Sequence, residues 1–110
     1  MPYSESLAER VRIALKGMRN VVEKRMFGGV CFLLQGNIVV GVWNLSLIAR
    51  VGVEQEVAAL QENHVRKMDI TGKPMKGWII IEPDGIDEDD QLRHWIDQAI
   101  AFASTLPAKE

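Results

Sequence analysis

The sequence has a single cysteine, Cys31, among its 110 residues, so it cannot form an internal disulfide or a cysteine-based zinc cluster. It has no run of the roughly 18 apolar residues that a membrane-spanning helix needs. Its first residues lack the basic and apolar regions of a signal peptide. It also lacks repeats, low-complexity segments and linkers rich in proline, glycine or serine. These absences predict one cytoplasmic domain over residues 1–110, with no membrane partner.

The charge has no dominant sign, because the net charge is only −2. That value argues against a general nucleic-acid binder. The distribution is nevertheless uneven. Residues 1–50 contain seven Lys/Arg and three Asp/Glu, a net +4, whereas residues 51–110 contain six and twelve, a net −6. Such an asymmetry indicates either a basic face on an acidic protein or chance.

One helix is predicted near each end of the chain. Ser6 and Glu9 have the spacing of a capping box, and this first helix ends near residues 17–20. Its apolar stripe consists of Leu7, Val11, Ala14, Leu15 and Met18. The last helix begins in the acidic run 87–90 and ends at Pro107. Its stripe consists of Leu92, Trp95, Ile96, Ala99, Ile100, Ala103 and Leu106. Both stripes predict helices that pack on a sheet.

The middle of the chain predicts an antiparallel sheet of five or six strands, because apolar segments alternate with tight turns. These segments are 21–27, 30–34, 38–43, 45–51, 65–70 and 78–81. Alternation in the fourth segment predicts a half-buried strand, with Ser46, Ile48 and Arg50 on its less buried face. A short helix is predicted over 53–62, with Val53, Val57 and Leu60 on its inner, apolar face and the polar residues Glu54, Gln55, Glu56 and Glu62 turned outward. This order of elements predicts an α+β two-layer domain, with helices on one side of the sheet.

Two motifs in this sequence resemble the signatures of the TfoX N-terminal domain family. The first lies before a predicted hairpin and consists of Arg25, Met26, Phe27, Gly28 and Gly29. The second begins at Thr71, leads into the last strand and continues with Gly72, Lys73, Pro74, Met75, Lys76, Gly77 and Trp78. The segment from Trp95 to Pro107 is similar to the family's final helix. The resemblance therefore covers residues 5–107.

The resemblance implies a two-layer fold similar to secretion-chaperone-like domains, with N- and C-terminal helices packed on an antiparallel sheet. It also implies a link to TfoX, or Sxy, the bacterial regulators of natural competence, which act with a cyclic-AMP receptor regulator on promoters. It supplies no catalytic residue. We expect no room within 110 residues for the second, helical domain of those regulators.

The other reactive residue types favour structural roles. His64 and His94 do not form a metal-binding pair. Cys31 lies in an apolar strand, which is typical of a cysteine that packs as a small hydrophobe. The acids at 87–90 suit the start of a helix through its macrodipole. We therefore predict no catalytic residue, no metal and no cofactor.

The basic residues are the strongest candidates for a binding site. Arg12, Lys16 and Arg19 follow each other at helical spacing beside the stripe of the first helix. The remaining members of the set are Arg25, Arg50, Lys73 and Lys76. If these side chains converge, they form a face that binds an anion or an acidic partner. A solvated face of mixed charge is the alternative.

Three functions remain open. The preferred one is a non-enzymatic regulatory or interaction domain, whose partner is an unidentified protein or, through exposed sheet edges, a second copy of the chain. The alternative is a nucleic-acid-associated accessory protein that uses the basic face. An enzyme or small-ligand binder ranks last. It would use Cys31 as nucleophile and an anion clamp made of Arg25, Arg50, Lys73 and Lys76, but no base is placed beside the thiol.

Overall fold

The computed structural model describes residues 3–26, 28–70 and 72–108. The elements are, in chain order, α1 (Glu5–Leu15), β1 (Val21–Met26), β2 (Gly29–Leu34), β3 (Asn37–Trp43), β4 (Ser46–Arg50), α2 (Val53–Ala59), β5 (Val65–Lys67), β6 (Trp78–Ile81), a 3-10 turn (Pro83–Gly85) and α3 (Asp89–Ala103). Phe27 and Thr71, which belong to the two predicted motifs, lie outside the described residues.

The six strands in the described part of the chain form one antiparallel sheet in the order β1-β2-β3-β4-β6-β5. The first four strands are neighbours both in sequence and in the sheet. β6 then lies between β4 and β5, so β5 pairs only with β6. α1 and α3 contact each other and β3. The predicted α+β fold, an antiparallel sheet with helices packed on it, is confirmed.

Both faces of the central strands are buried. On the helix face, Leu47 and Ile79 belong to a core shared with α1 and α3. On the opposite face, Ile48 and Ile80 pack with Met68. Met68 begins the covering loop, defined here as residues 68–70 and 72–77, which joins β5 to β6. The prediction of a half-buried β4 is therefore wrong for Ile48, which is 2% exposed, because this loop supplies a cover that periodicity alone does not reveal.

The helix caps differ in part from the predicted ones. The side chain of Ser4 accepts a hydrogen bond from the Leu7 amide at 3.1 Å and caps α1. The prediction of a capping box at Ser6 is wrong, because the chain enters the helix two residues earlier. α3 has a capping box formed by Glu88 and Gln91, with the Glu88 amide donating to Gln91 at 2.8 Å. This is consistent with the predicted role of the acidic run as the start of a helix.

α2 presents a different face from the predicted one. Val53 and Val57 are 59% and 68% exposed, whereas Ala59 is the buried residue of this helix. The prediction that the two valines face inward is therefore wrong. The physical reason is a polar anchor, since the Glu56 carboxylate accepts a hydrogen bond from the Gly77 amide at 2.7 Å. That bond and the buried side chain of Ala59 together set the rotation of α2 about its axis.

The turn between β1 and β2 depends on two glycines with different constraints. Gly28 has a φ of +75° and open space around its Cα. Gly29 has ordinary backbone angles, but a Cβ on it would lie 2.0 Å from the carbonyl oxygen of Val42 on β3. Position 28 therefore requires glycine because its backbone is left-handed. Position 29 requires glycine because the backbone of β3 lies too close for a side chain.

We predict that Gly29→Ala lowers the free energy of unfolding by about 3 kcal/mol or more, because β2 and β3 must separate to admit the methyl group. Gly28→Ala is the matched control. It meets no neighbouring atom and costs only the left-handed conformation, about 1–2 kcal/mol. Urea unfolding followed by circular dichroism measures both variants. Equal midpoints for the two would contradict the close-approach argument.

Candidate interaction surfaces

The two family-like motifs lie at opposite ends of the sheet. β1 ends and β2 begins at one end, so Arg25 and Gly29 lie there. We call this the Gly29 end. β4 finishes and β6 starts at the other end, where Arg50 pairs with Trp78. We call this the Arg50 end. The second motif leads into Trp78 and lies there, so the two motifs do not form one site.

The second motif holds three elements together through Gly77. Its carbonyl oxygen accepts hydrogen bonds from the amides of Val51 and Gly52, at 2.9 and 3.1 Å. Its own amide donates to Glu56 of α2. Gly77 has a φ of +85°, and a Cβ on it would lie 3.3 Å from the Cα of Gly52. The motif thus joins the end of β4, the start of α2 and the start of β6.

Arg50 lies against two aromatic rings at this end. The central carbon of its guanidinium is 5.6 Å from the ring centroid of Trp78 and 5.4 Å from that of Phe102. Both distances lie within the range of a cation–π contact. In the described part of the chain no carboxylate forms an ion pair with Arg50. Within the described residues, Arg50 is therefore held by two aromatic rings and not by an acidic side chain.

Arg12 is instead bound to two carboxylates. It donates to Glu23 on β1 through two nitrogens, both at 2.7 Å, and to Glu9 at 3.0 Å. The Arg12 guanidinium holds the pKa of the Glu23 carboxyl below its usual value, and the carboxylates raise the pKa of Arg12. This predicted anion-binding residue therefore connects α1 to β1, and its charge is already compensated.

The other predicted basic residues divide between the two ends of the sheet. Lys16 and Arg19, both exposed, follow α1 and precede the first residue of β1, which lies at the Arg50 end. The covering loop joins strands at that same end, and Lys73 and Lys76 belong to it. Arg25 lies at the Gly29 end. The structure thus places Lys16, Arg19, Arg50, Lys73 and Lys76 toward one end, and whether they bind an anion stays a prediction.

One basic residue at the Arg50 end was absent from the predicted set. Lys67 is exposed and ends β5, opposite Ile79. Sequence reasoning missed it because no local pattern shows at which end of the sheet the short β5 finishes. Its place inside the predicted strand segment 65–70 was the available signal.

The exposed valines of α2 form an apolar surface that the sequence did not predict. Val53 and Val57 are one helical turn apart, so they share a face. Among the described helices, α2 is the only one that carries two exposed large apolar side chains. We call this pair the α2 ridge. Helical periodicity identified both residues, but it could not distinguish a buried stripe from an exposed one.

Both histidines line an open cleft of about 570 Å³ between α3 and the segment before β5. His94 Nε2 lies 3.7 Å from a Glu62 carboxylate oxygen and 2.9 Å from the Gln98 amide nitrogen. Within the described residues, no group of three or more histidine, cysteine, aspartate or glutamate side chains is placed to hold a metal ion.

Cys31 is poorly suited to the nucleophilic role. It is 2% exposed, and burial raises the pKa of its thiol to about 11. The thiol is therefore protonated at neutral pH, and a thiolate is the nucleophilic form. Its environment is that of a core residue.

No helix among the described residues has both the length and the apolar character needed to cross a membrane.

A family model matches most of the chain. The model for the TfoX N-terminal domain matches residues 14–103, from the second half of α1 to the end of α3. No curated protein and no solved structure matches. The family match spans both motifs and every strand of the sheet.

We predict that Arg12→Ala lowers the free energy of unfolding at pH 7 by about 0.5–1 kcal/mol, since both partners are more than a third exposed and solvent screens the pair. The pKa of folded Glu23 lies below its ordinary 4.5. The stabilisation of the folded state by this ion pair is therefore complete at pH values above 4.5, and it is lost as the pH falls through the lowered pKa.

Urea unfolding of wild type and Arg12→Ala, from pH 7 down to about pH 3, tests this sign. The two proteins should differ at pH 7 and converge at low pH. Arg19→Ala removes an exposed arginine that forms no ion pair with a carboxylate among the described residues, and it should match wild type throughout. A gap that widens on acidification would contradict the assignment.

Proposed function

Because the chain belongs to the TfoX N-terminal domain family, we propose that it is a small non-enzymatic regulatory domain that acts through protein–protein contacts. The supporting observation is the α2 ridge, a pair of exposed valines on a helix that a hydrogen bond anchors to Gly77. The proposal includes the cytoplasmic location predicted from the sequence. It also includes a role in transcription regulation of the competence type, which the family resemblance implies.

The α2 ridge has properties of a docking surface. Exposed apolar side chains gain free energy when a partner removes them from water, at about 25 cal/mol per Å². Glu56 fixes α2 to Gly77, so little conformational freedom is lost when a partner binds. Glu54 is exposed on the same helix. The partner that fits is therefore a protein with an apolar pocket and a basic rim.

We predict that Val57→Lys abolishes capture of such a partner and leaves the fold intact. Val57 is 68% exposed and lysine is a better helix former than valine, so the stability should change by less than about 0.5 kcal/mol. Gln55→Lys adds the same charge at an exposed position of the same helix and is the matched control. Quantitative mass spectrometry of proteins captured from native cell extract measures the effect.

The informative result is a protein that wild type and Gln55→Lys retain and Val57→Lys loses. If all three proteins retain the same set, the α2 ridge is not the docking surface. If wild type captures nothing above background, the proposal that the α2 ridge binds a different protein is wrong.

The grouping of basic residues at the Arg50 end favours nucleic-acid association as a second candidate function. Lys16 and Arg19 are exposed, and within the described residues neither forms an ion pair with a carboxylate. Lys67, Arg50 and Lys76 lie toward the same end. A phosphate backbone is the ligand that fits exposed lysine and arginine side chains without requiring a pocket.

We predict that any binding of labelled duplex DNA or single-stranded RNA weakens with salt and decreases in the Lys16→Ala, Arg19→Ala double variant. Each lost phosphate contact should lower the salt slope by about 1. Arg93→Ala removes an exposed arginine of α3, outside the predicted basic set, and is the control. Fluorescence anisotropy at low and physiological salt measures all three proteins. No binding at either salt would eliminate this candidate.

A further inference from the structure

β1 leaves one edge of the sheet unpaired. It has six residues and pairs only with β2 in the described part of the chain. The other edge strand, β5, has only three residues. Short edge strands are one way in which proteins avoid edge-to-edge pairing. β1 is twice as long and has no proline, so another strand can pair with its edge if that strand matches the charges of Glu23, Lys24 and Arg25.

The register of the β1–β2 hairpin identifies which backbone groups point outward. The Gln35 amide donates to the Asn20 carbonyl at 3.0 Å, one step before the pair Val21 and Leu34. In an antiparallel ladder, hydrogen-bonded and non-hydrogen-bonded pairs alternate. Val21, Glu23 and Arg25 therefore direct their N–H and C=O groups away from β2.

The sequence of β1 is suited to antiparallel pairing with a second copy of itself. A two-fold axis through Lys24 places Glu23 opposite Arg25 of the second copy, and this ion pair occurs twice. It also places Val22 opposite Met26 of the second copy, again twice. An axis through Glu23 or Arg25 would instead oppose like charges at the hydrogen-bonded positions. Lys24 lies opposite Lys24 of the second copy, but both side chains are long and exposed, so their ammonium groups can point away from each other.

We propose that the protein forms a homodimer in which β1 pairs antiparallel with β1 of a second copy, centred on Lys24, to give a continuous twelve-stranded sheet. The interface joins backbone hydrogen bonds from Glu23 and Arg25 to two ion pairs and two apolar pairs. The Glu23 carboxylate has capacity for this contact, since an ionised carboxylate accepts about four hydrogen bonds and Arg12 supplies two. This surface is separate from the α2 ridge.

Sedimentation velocity of the purified protein tests the dimer against the 12.4 kDa monomer. Wild type should associate with increasing concentration. Arg25→Glu opposes two carboxylates at both symmetric pairs and should raise the dimer dissociation constant at least about tenfold. Arg19→Glu makes the same charge change outside β1 and should dimerise like wild type. Circular dichroism checks that each variant is folded.

Single-cysteine variants test the register independently of Arg25→Glu. Lys24→Cys places two thiols across the axis in a non-hydrogen-bonded pair, with the Cα atoms about 4.5 Å apart, within the range for a disulfide. Oxidised glutathione should link this variant faster than Glu23→Cys, Arg25→Cys or the control Arg19→Cys. The native Cys31 is buried and stays in all variants.

The proposal is overturned if wild type remains a monomer at its highest soluble concentration, as it would if β1 accepted a strand from a different protein. It is also overturned if Glu23→Cys or Arg25→Cys forms the intermolecular disulfide fastest, because the register would then differ. A dimer in which none of the three β1 cysteine variants forms a disulfide would overturn it as well. These experiments use the purified protein alone, so they are independent of partner capture by the α2 ridge.

Discussion

The contact between Gly77 and the end of β4 determines how the second half of the chain is arranged. Its carbonyl accepts from Val51 and Gly52, and its amide donates to Glu56. These bonds hold the end of the covering loop in place, and they join it to α2 and to the first residue of β6. Without the loop, Ile48 and Ile80 would face water on the side of the sheet opposite α1 and α3. The chain thereby buries both faces of its central strands, one under helices and the other under the covering loop.

Much of the fold could be predicted from the sequence, because its elements have strong local signals. The isoleucines of β6 and the paired apolar runs of β2 and β3 could hardly form anything other than strands. The apolar stripe of α3 likewise predicted its packing on the sheet. Local pattern was less informative about caps, since Ser6 has the capping-box spacing with Glu9 and yet the path of the chain makes Ser4 the cap.

The interaction surfaces were less predictable, because they depend on contacts between distant parts of the chain. The orientation of Val53 and Val57 follows from the bond between Glu56 and Gly77, which are 21 residues apart. Arg12 belonged to a helical row of basic residues, yet Glu23 on β1 compensates its charge. The family-like motifs were recognised from sequence, and in the structure their glycines permit close backbone approach and left-handed conformations. Those roles maintain the fold at both ends of the sheet.

The strand order also has a consequence for the sequence of events during synthesis. β1 to β4 form a meander of adjacent strands that is complete once Arg50 has left the ribosome, so its contacts are local and can form early. β5 emerges next, but its pairing partner is β6, which lies between it and β4. The β4 edge therefore stays open until residues 78–81 emerge. In that interval the nascent chain exposes the strand that later becomes the centre of its core, and this is the stage at which chaperone protection matters most.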